Sequence, residues 1–254
     1  MLGNDIVDLG DADSRPESFR PRFDARVFSP EERRAISRDR DPLARRWAHW
    51  AAKEAAYKLA KQLDPGLIFS PVRLEVDFEP VDSDARRRTL RRGIVSRTGQ
   101  SSDAPTEVEV RSFETEERVH VIALPVGADW GAVDFAVERV ESLASDPRIA
   151  VRELAIREIS RSLGIRPHRL AVGRLGTSHS GWQGGPPRAE FGASRPSRVP
   201  TVELDGIPTS LSLSLSHHGR FISFAMTPRV EPTIHVNHRR EHSTMLAAAG
   251  ATRR

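Results

Sequence analysis

The chain has 254 residues, 38% of them hydrophobic, and no cysteine; this suffices for the core of one large or two small domains, and it excludes disulfides, thiolate catalysis and cysteine-bound zinc, so any metal is expected to be hard. A net charge of +4 and a pI near 10.2 favour acidic partners, but only 6% of residues are aromatic, and without a clustered basic and stacking surface nucleic-acid binding is not expected. No run approaches the roughly 20 apolar residues that span a bilayer, and the N-terminus lacks the basic and apolar regions of a signal peptide, so a cytoplasmic protein with no membrane partner is expected.

In chain order, Gly3-Asn4-Asp5-Ile6-Val7-Asp8-Leu9 reads as a strand. After a polar loop, Phe28-Ser29-Pro30-Glu31-Glu32 opens a short helix, with Ser29 and Glu32 forming a capping box and Pro30 at the first helical position. Asp41-Pro42 starts a long helix that carries Leu43, Trp47, Trp50, Glu54 and Lys58 along one stripe and stops at Asp64-Pro65-Gly66. Strands follow at 73–78, 107–113 and 118–124, the last two as a hairpin. The stretch 82–105, with Arg86, Arg87, Arg88, Arg91 and Arg92 among few apolar residues, reads as an exposed loop.

The second half again offers an Asp-Pro start, Asp146-Pro147, for a helix carrying Ile149, Leu154, Ile156, Ile159 and Leu163 before Gly164. A Gly, Pro and Ser-rich loop runs over 176–200, and a short strand over 201–204. Ser and Leu alternate over 210–216, His217-His218-Gly219-Arg220 turns, and 221–226 returns, completing a hairpin. The pattern is α+β, with two similar halves related by a pseudo-two-fold, each a small antiparallel sheet packed on a long helix. The expected divisions are 1–127, 128–228 and a loosely held tail, 229–254.

Three places bear on chemistry. Asp5, on a strand face shared with Val7 and Leu9, is either a site acid in covered space or an edge acid satisfied by backbone N–H groups. Glu54 on a Trp-bearing stripe needs a compensating cation; the plainer and, from the residues alone, stronger reading is an exposed i,i+4 pair with Lys58, worth about 0.2–0.5 kcal/mol. Ser216-His217 sits where hydroxyl, imidazole and backbone N–H groups can meet a phosphate. His217-His218 cannot chelate one ion from a strand, because neighbours point to opposite faces.

Taken together, Gly3-Asn4-Asp5-Ile6-Val7-Asp8, Phe28-Ser29-Pro30-Glu31-Glu32, Trp50-Ala51-Ala52-Lys53-Glu54-Ala55-Ala56-Tyr57-Lys58 and Ser214-Leu215-Ser216-His217 resemble the 4′-phosphopantetheinyl transferase superfamily. The resemblance implies that fold and Mg²⁺-dependent transfer of 4′-phosphopantetheine from coenzyme A to a serine of an apo acyl or peptidyl carrier protein, by a monomer. It implies Asp5 and Glu54 as Mg²⁺ ligands, Lys58 as the cation on the phosphate and departing adenosine bisphosphate, and Ser216 with His217 on the coenzyme. Glu32 would shape or water-link the site, and Arg198 and Arg152 are candidate cations for the coenzyme phosphates. The Ser-His segment follows the Gly-x-Asp strand, as in the family's short form, whereas the length suits the two-halved long form. Where the long form usually places a second acid, this chain has Val7, which would leave the metal an extra water. The alternative is a non-catalytic coenzyme A-binding or protein-interaction relative of the same fold.

Overall fold

A computed structural model describes residues 1–79, 88–98, 106–140, 146–174 and 199–228. The chain opens with β1 (Gly3–Asp8), passes α1 (Phe23–Val27) and α2 (Pro30–Arg38), and enters the long helix α3 (Pro42–Leu63). Ser29 and Glu32 form the capping box on α2, and Asp41 caps α3 by accepting from the Ala44 N–H. Then β2 (Leu74–Phe78), β3 (Arg88–Arg97), β4 (Glu107–Thr115) and β5 (Arg118–Pro125) complete an antiparallel sheet of order β1-β5-β4-β3-β2.

The second half also opens on a strand and continues through a helix into further strands, but with one helix in place of three and five following strands in place of four. It runs β6 (Asp134–Arg139), α4 (Pro147–Leu163), β7 (Leu170–Arg174), β8 (Pro200–Leu204), β9 (Ile207–Pro208), β10 (Leu211–His218) and β11 (Phe221–Pro228). Its strands form two antiparallel sheets, β10-β11-β6 and β7-β8-β9. In each half the closing strand returns to pair with the first, β5 with β1 and β11 with β6. The architecture is α+β, and among the described residues no helix is long and apolar enough to cross a membrane.

The alanines of α3 explain how helix and sheet come together. Ala48, Ala51, Ala52 and Ala55 are fully buried against Val7, Val76, Val110, Val119 and Val121 of the sheet, and their small side chains let the backbones approach closely. At the nearest point, a Cβ on Gly3 would lie 1.9 Å from the Ala55 carbonyl oxygen and 2.9 Å from the Leu59 nitrogen. Both neighbours are backbone atoms and cannot swing aside. Gly3→Ala is therefore expected to destabilise the fold by about 2 kcal/mol, read as a lower urea midpoint with unchanged m-value.

Several expectations need correction. The stretch 82–105 contains β3, because Arg91 and Gly93 occupy core-facing positions beside Val95 and so hide the alternation. Arg91 is buried, its Nε 2.8 Å from Glu114 Oε1 and its Nη2 3.2 Å from Asp39 Oδ1. It cannot serve an exposed basic surface. Strands β6 and β7 were not legible, since β6 is largely exposed and β7 is short. On α4 the buried face is Val151, Leu154, Ala155 and Ile159, while Ile149 and Leu163 are exposed. His217 and His218 belong to β10, leaving Gly219 and Arg220 as the turn. Arg86, Arg87, Arg198, the tail 229–254 and most of 176–200 lie outside the described residues.

Candidate active site

β1 is an edge strand of the first sheet and β10 an edge strand of the second. They meet through side chains rather than a backbone ladder. Successive outward N–H groups of β1 find acceptors on β10: Asn4 N to Ser214 Oγ at 2.9 Å, Ile6 N to Ser216 Oγ at 3.3 Å, and Asp8 N to His218 Nδ1 at 3.1 Å. This explains the Ser-Leu alternation on β10. Ser212, Ser214 and Ser216 are buried, the latter two on the β1 edge, whereas Leu213 joins the core under α4.

The far end of this seam is held by Asp8 and Arg220. Arg220 Nη2 donates to Asp8 Oδ1 at 2.7 Å, and its Nε and backbone N donate to Oδ2 at 2.8 and 2.9 Å. Burial pushes the Asp8 carboxyl up, but these bonds, with one from the Gly10 N–H, outweigh it and hold the pKa at about 2. Gly219 adopts a left-handed backbone with φ 51°, and a Cβ there would lie 2.6 Å from Asp8 Oδ2, so the turn requires glycine on both grounds.

At the centre of the seam, a cleft of about 280 Å³ is lined by Asp5, Trp47, Trp50, Glu54, Lys58, Ser216 and His217, among others. Residues from the two ends of the chain thus share one wall. Lys58 does not pair with Glu54 along the helix as the plain reading expected. Its Nζ crosses to Asp5 Oδ1 at 2.7 Å, to the Asn4 carbonyl at 2.9 Å and to Ser216 Oγ at 3.2 Å. Among the described residues no backbone N–H donates to the Asp5 carboxylate; Ser216 also donates to its Oδ1, at 2.8 Å.

Glu54 makes no hydrogen bond or ion pair with any described residue, and burial followed by the charge of Asp5 pushes its pKa to about 7, against the pull of Lys58. Two carboxylates thus line one cleft, with the Lys58 ammonium fixed on Asp5. This donor set fits Mg²⁺, which binds through one or two carboxylates and keeps water or phosphate in its other positions. Asp5 Oδ2, which accepts no hydrogen bond from a described residue, is available for it. Among the described residues, no group of three or more acids and histidines gathers to hold a metal, in this cleft or elsewhere, so the cleft offers the two carboxylates alone.

His217 is exposed and has no hydrogen-bond partner among the described residues. Burial of part of its ring, then the charges of Lys58 and Arg148, lower its pKa. It also lines a second cavity of about 190 Å³, with Arg148, Val151, Arg152, Gly173, Pro200 and Leu215. The two cavities share Leu215 and His217, so the acidic cleft continues into a basic one. Arg152 lines this cavity, its Nη1 donating to the Arg148 carbonyl at 2.7 Å; Arg148, one helical turn earlier, lines it too and has no sequence signal that sets it apart from any surface arginine on α4.

Glu32 does not line the cleft. Its Oε2 accepts from Lys53 Nζ and the Ser29 N–H, each at 2.7 Å, and its Oε1 from the Val76 N–H at 2.8 Å. Lys53, fully buried, also donates to the carbonyls of Val27 and Pro71. The pair joins α2, α3 and β2 and fixes the rotation of α3, so that Glu54, next in sequence, faces the cleft.

Residues 1–123 match the family model of the 4′-phosphopantetheinyl transferase superfamily. The matched segment includes Asp5, Glu54 and Lys58 but stops before α4 and β10. No curated protein matches the chain.

Proposed function

Since residues 1–123 of this chain match the family model of the 4′-phosphopantetheinyl transferase superfamily, we propose that it transfers 4′-phosphopantetheine from coenzyme A to a serine of an apo acyl or peptidyl carrier protein. The reading rests above all on one observation: Asp5, Glu54 and Lys58 share a cleft with His217, which the chain brings from its other end beside a basic cavity.

Asp5 and Glu54 would hold Mg²⁺, which when bound clamps phosphate oxygens and offsets their charge. The serine hydroxyl attacks the β-phosphorus, the bond to the adenosine 3′,5′-bisphosphate breaks, and the bisphosphate leaves with that electron pair. Glu54, a carboxylate on the cleft wall with no hydrogen bond or ion pair to a described residue, takes the serine proton. Lys58, held by Asp5 and the Asn4 carbonyl, presents a fixed positive charge to the transferring phosphoryl group. His217, Arg148 and Arg152 supply donors for the coenzyme phosphates.

Release of adenosine 3′,5′-bisphosphate should require coenzyme A, Mg²⁺ and an apo carrier together. In the Arg148→Ala/Arg152→Ala variant the coenzyme KM should rise about tenfold with kcat little changed. Release without any carrier would refute group transfer and indicate hydrolysis.

A further inference from the structure

The Ser216-His217 pair divides into two unlike residues. A hydroxyl has one proton to donate and two lone pairs to accept with. Ser216 uses all three: it donates to Asp5 Oδ1 at 2.8 Å and accepts from Lys58 Nζ at 3.2 Å and from the Ile6 N–H at 3.3 Å. It is 6% exposed. A coenzyme phosphate, which only accepts hydrogen bonds, finds no donor there unless the bond to Asp5 breaks. His217 is its opposite, exposed and without a hydrogen-bond partner among the described residues.

We propose that Ser216 is a positioning residue for the metal rather than a contact for the coenzyme. With Lys58 it fixes Asp5 Oδ1, and so turns the free Oδ2 toward the cation; the coenzyme contact of this dipeptide then belongs to His217 alone. The inference rests on the transferase reading for the identity of the ligands, but the geometry behind it concerns only Asp5. Groups that orient a metal ligand in this way typically change metal affinity by about 10–100-fold.

The test is calorimetry on the full chain, with Mg²⁺ alone and then with coenzyme A at saturating Mg²⁺. Ser216→Ala is expected to weaken Mg²⁺ binding at least about tenfold and to leave coenzyme affinity at saturating metal within about twofold. Ser214→Ala provides the comparison: it removes the neighbouring bond of the same seam, to Asn4 N, without touching Asp5, and should leave Mg²⁺ affinity unchanged. Ser216→Cys, similar in size but a weak donor, answers the same question if the alanine variant does not fold. Unchanged Mg²⁺ affinity in the Ser216 variant, an equal loss in Ser214→Ala, or a fall in coenzyme affinity with metal saturated would each overturn the proposal. A wild-type protein that binds Mg²⁺ but no coenzyme A would refute the transferase reading, with the metal comparison still deciding the role of Ser216. Absence of Mg²⁺ binding in the wild type would overturn the inference itself.

Discussion

Replacing Glu54 by glutamine should abolish transfer and, at the same time, stabilise the metal-free protein at pH 8. The two effects have one cause. Burial and the neighbouring Asp5 charge raise the Glu54 pKa from its ordinary 4.5 to about 7. Between those values the unfolded chain has released this proton while the folded protein still holds it. The group's contribution to stability is therefore fully present below pH 4.5 and is lost as pH rises through about 7, a difference of about 3 kcal/mol. Glutamine cannot ionise and escapes that cost, so in EDTA at pH 8 the variant should unfold at higher urea than the wild type, and at pH 4 the gap should close. Added Mg²⁺ should raise wild-type stability at pH 8 by mass action and do less for the variant. Turnover, which needs the carboxylate for the cation and for the serine proton, should fall by about a thousandfold or more. Equal stability at pH 8 would show that Glu54 is not held under strain beside Asp5.

The second large effect lies in acid and involves a residue outside the cleft. His120 of β5 is fully buried against Phe113 and Phe135, and neither ring nitrogen has a hydrogen-bond partner among the described residues. Burial, reinforced by the charges of Arg118 and Lys58, lowers its pKa from 6.5 to about 3. The unfolded chain then binds a proton below pH 6.5 that the folded protein refuses, so this group's contribution declines as pH falls from 6.5 toward 3. At pH 4 the loss is about 3 kcal/mol. His120→Phe keeps an aromatic ring against these neighbours and removes the titration. Its stability advantage over the wild type should grow by that amount between pH 7 and pH 4, measured as paired urea midpoints; a gap that stays constant with pH would contradict a buried neutral imidazole.

What could be read in advance depended on whether the signal was local. Helices α2, α3 and α4 begin at Ser29-Pro30, Asp41-Pro42 and Asp146-Pro147, and a cap is legible because its donors and acceptors lie within one turn. The strand β3 was hidden because Arg91 occupies a core position that only Asp39 and Glu114, remote in sequence, make tolerable. The partner of Lys58 was misread for the same reason. Glu54 is close in sequence, but Asp5 and Ser216 are brought to Lys58 by folding. Spacing could nominate Asp5, Glu54, Lys58 and His217, and the resemblance could group them. Neither could disclose that Ser216 spends its only proton on Asp5, or that Arg148 stands beside Arg152 in the cavity next to His217.

The central claim, that this cleft moves 4′-phosphopantetheine onto a carrier, is tested most directly by the intact mass of an apo carrier protein after incubation with the full chain, coenzyme A and Mg²⁺. The expected result is a gain of one phosphopantetheine on the acceptor serine, absent when Asp5→Ala protein is used and absent when the acceptor serine is replaced by alanine. Carriers of fatty acid, polyketide and peptide synthesis that all keep their apo mass, under conditions where the protein demonstrably binds coenzyme A and Mg²⁺, would contradict it.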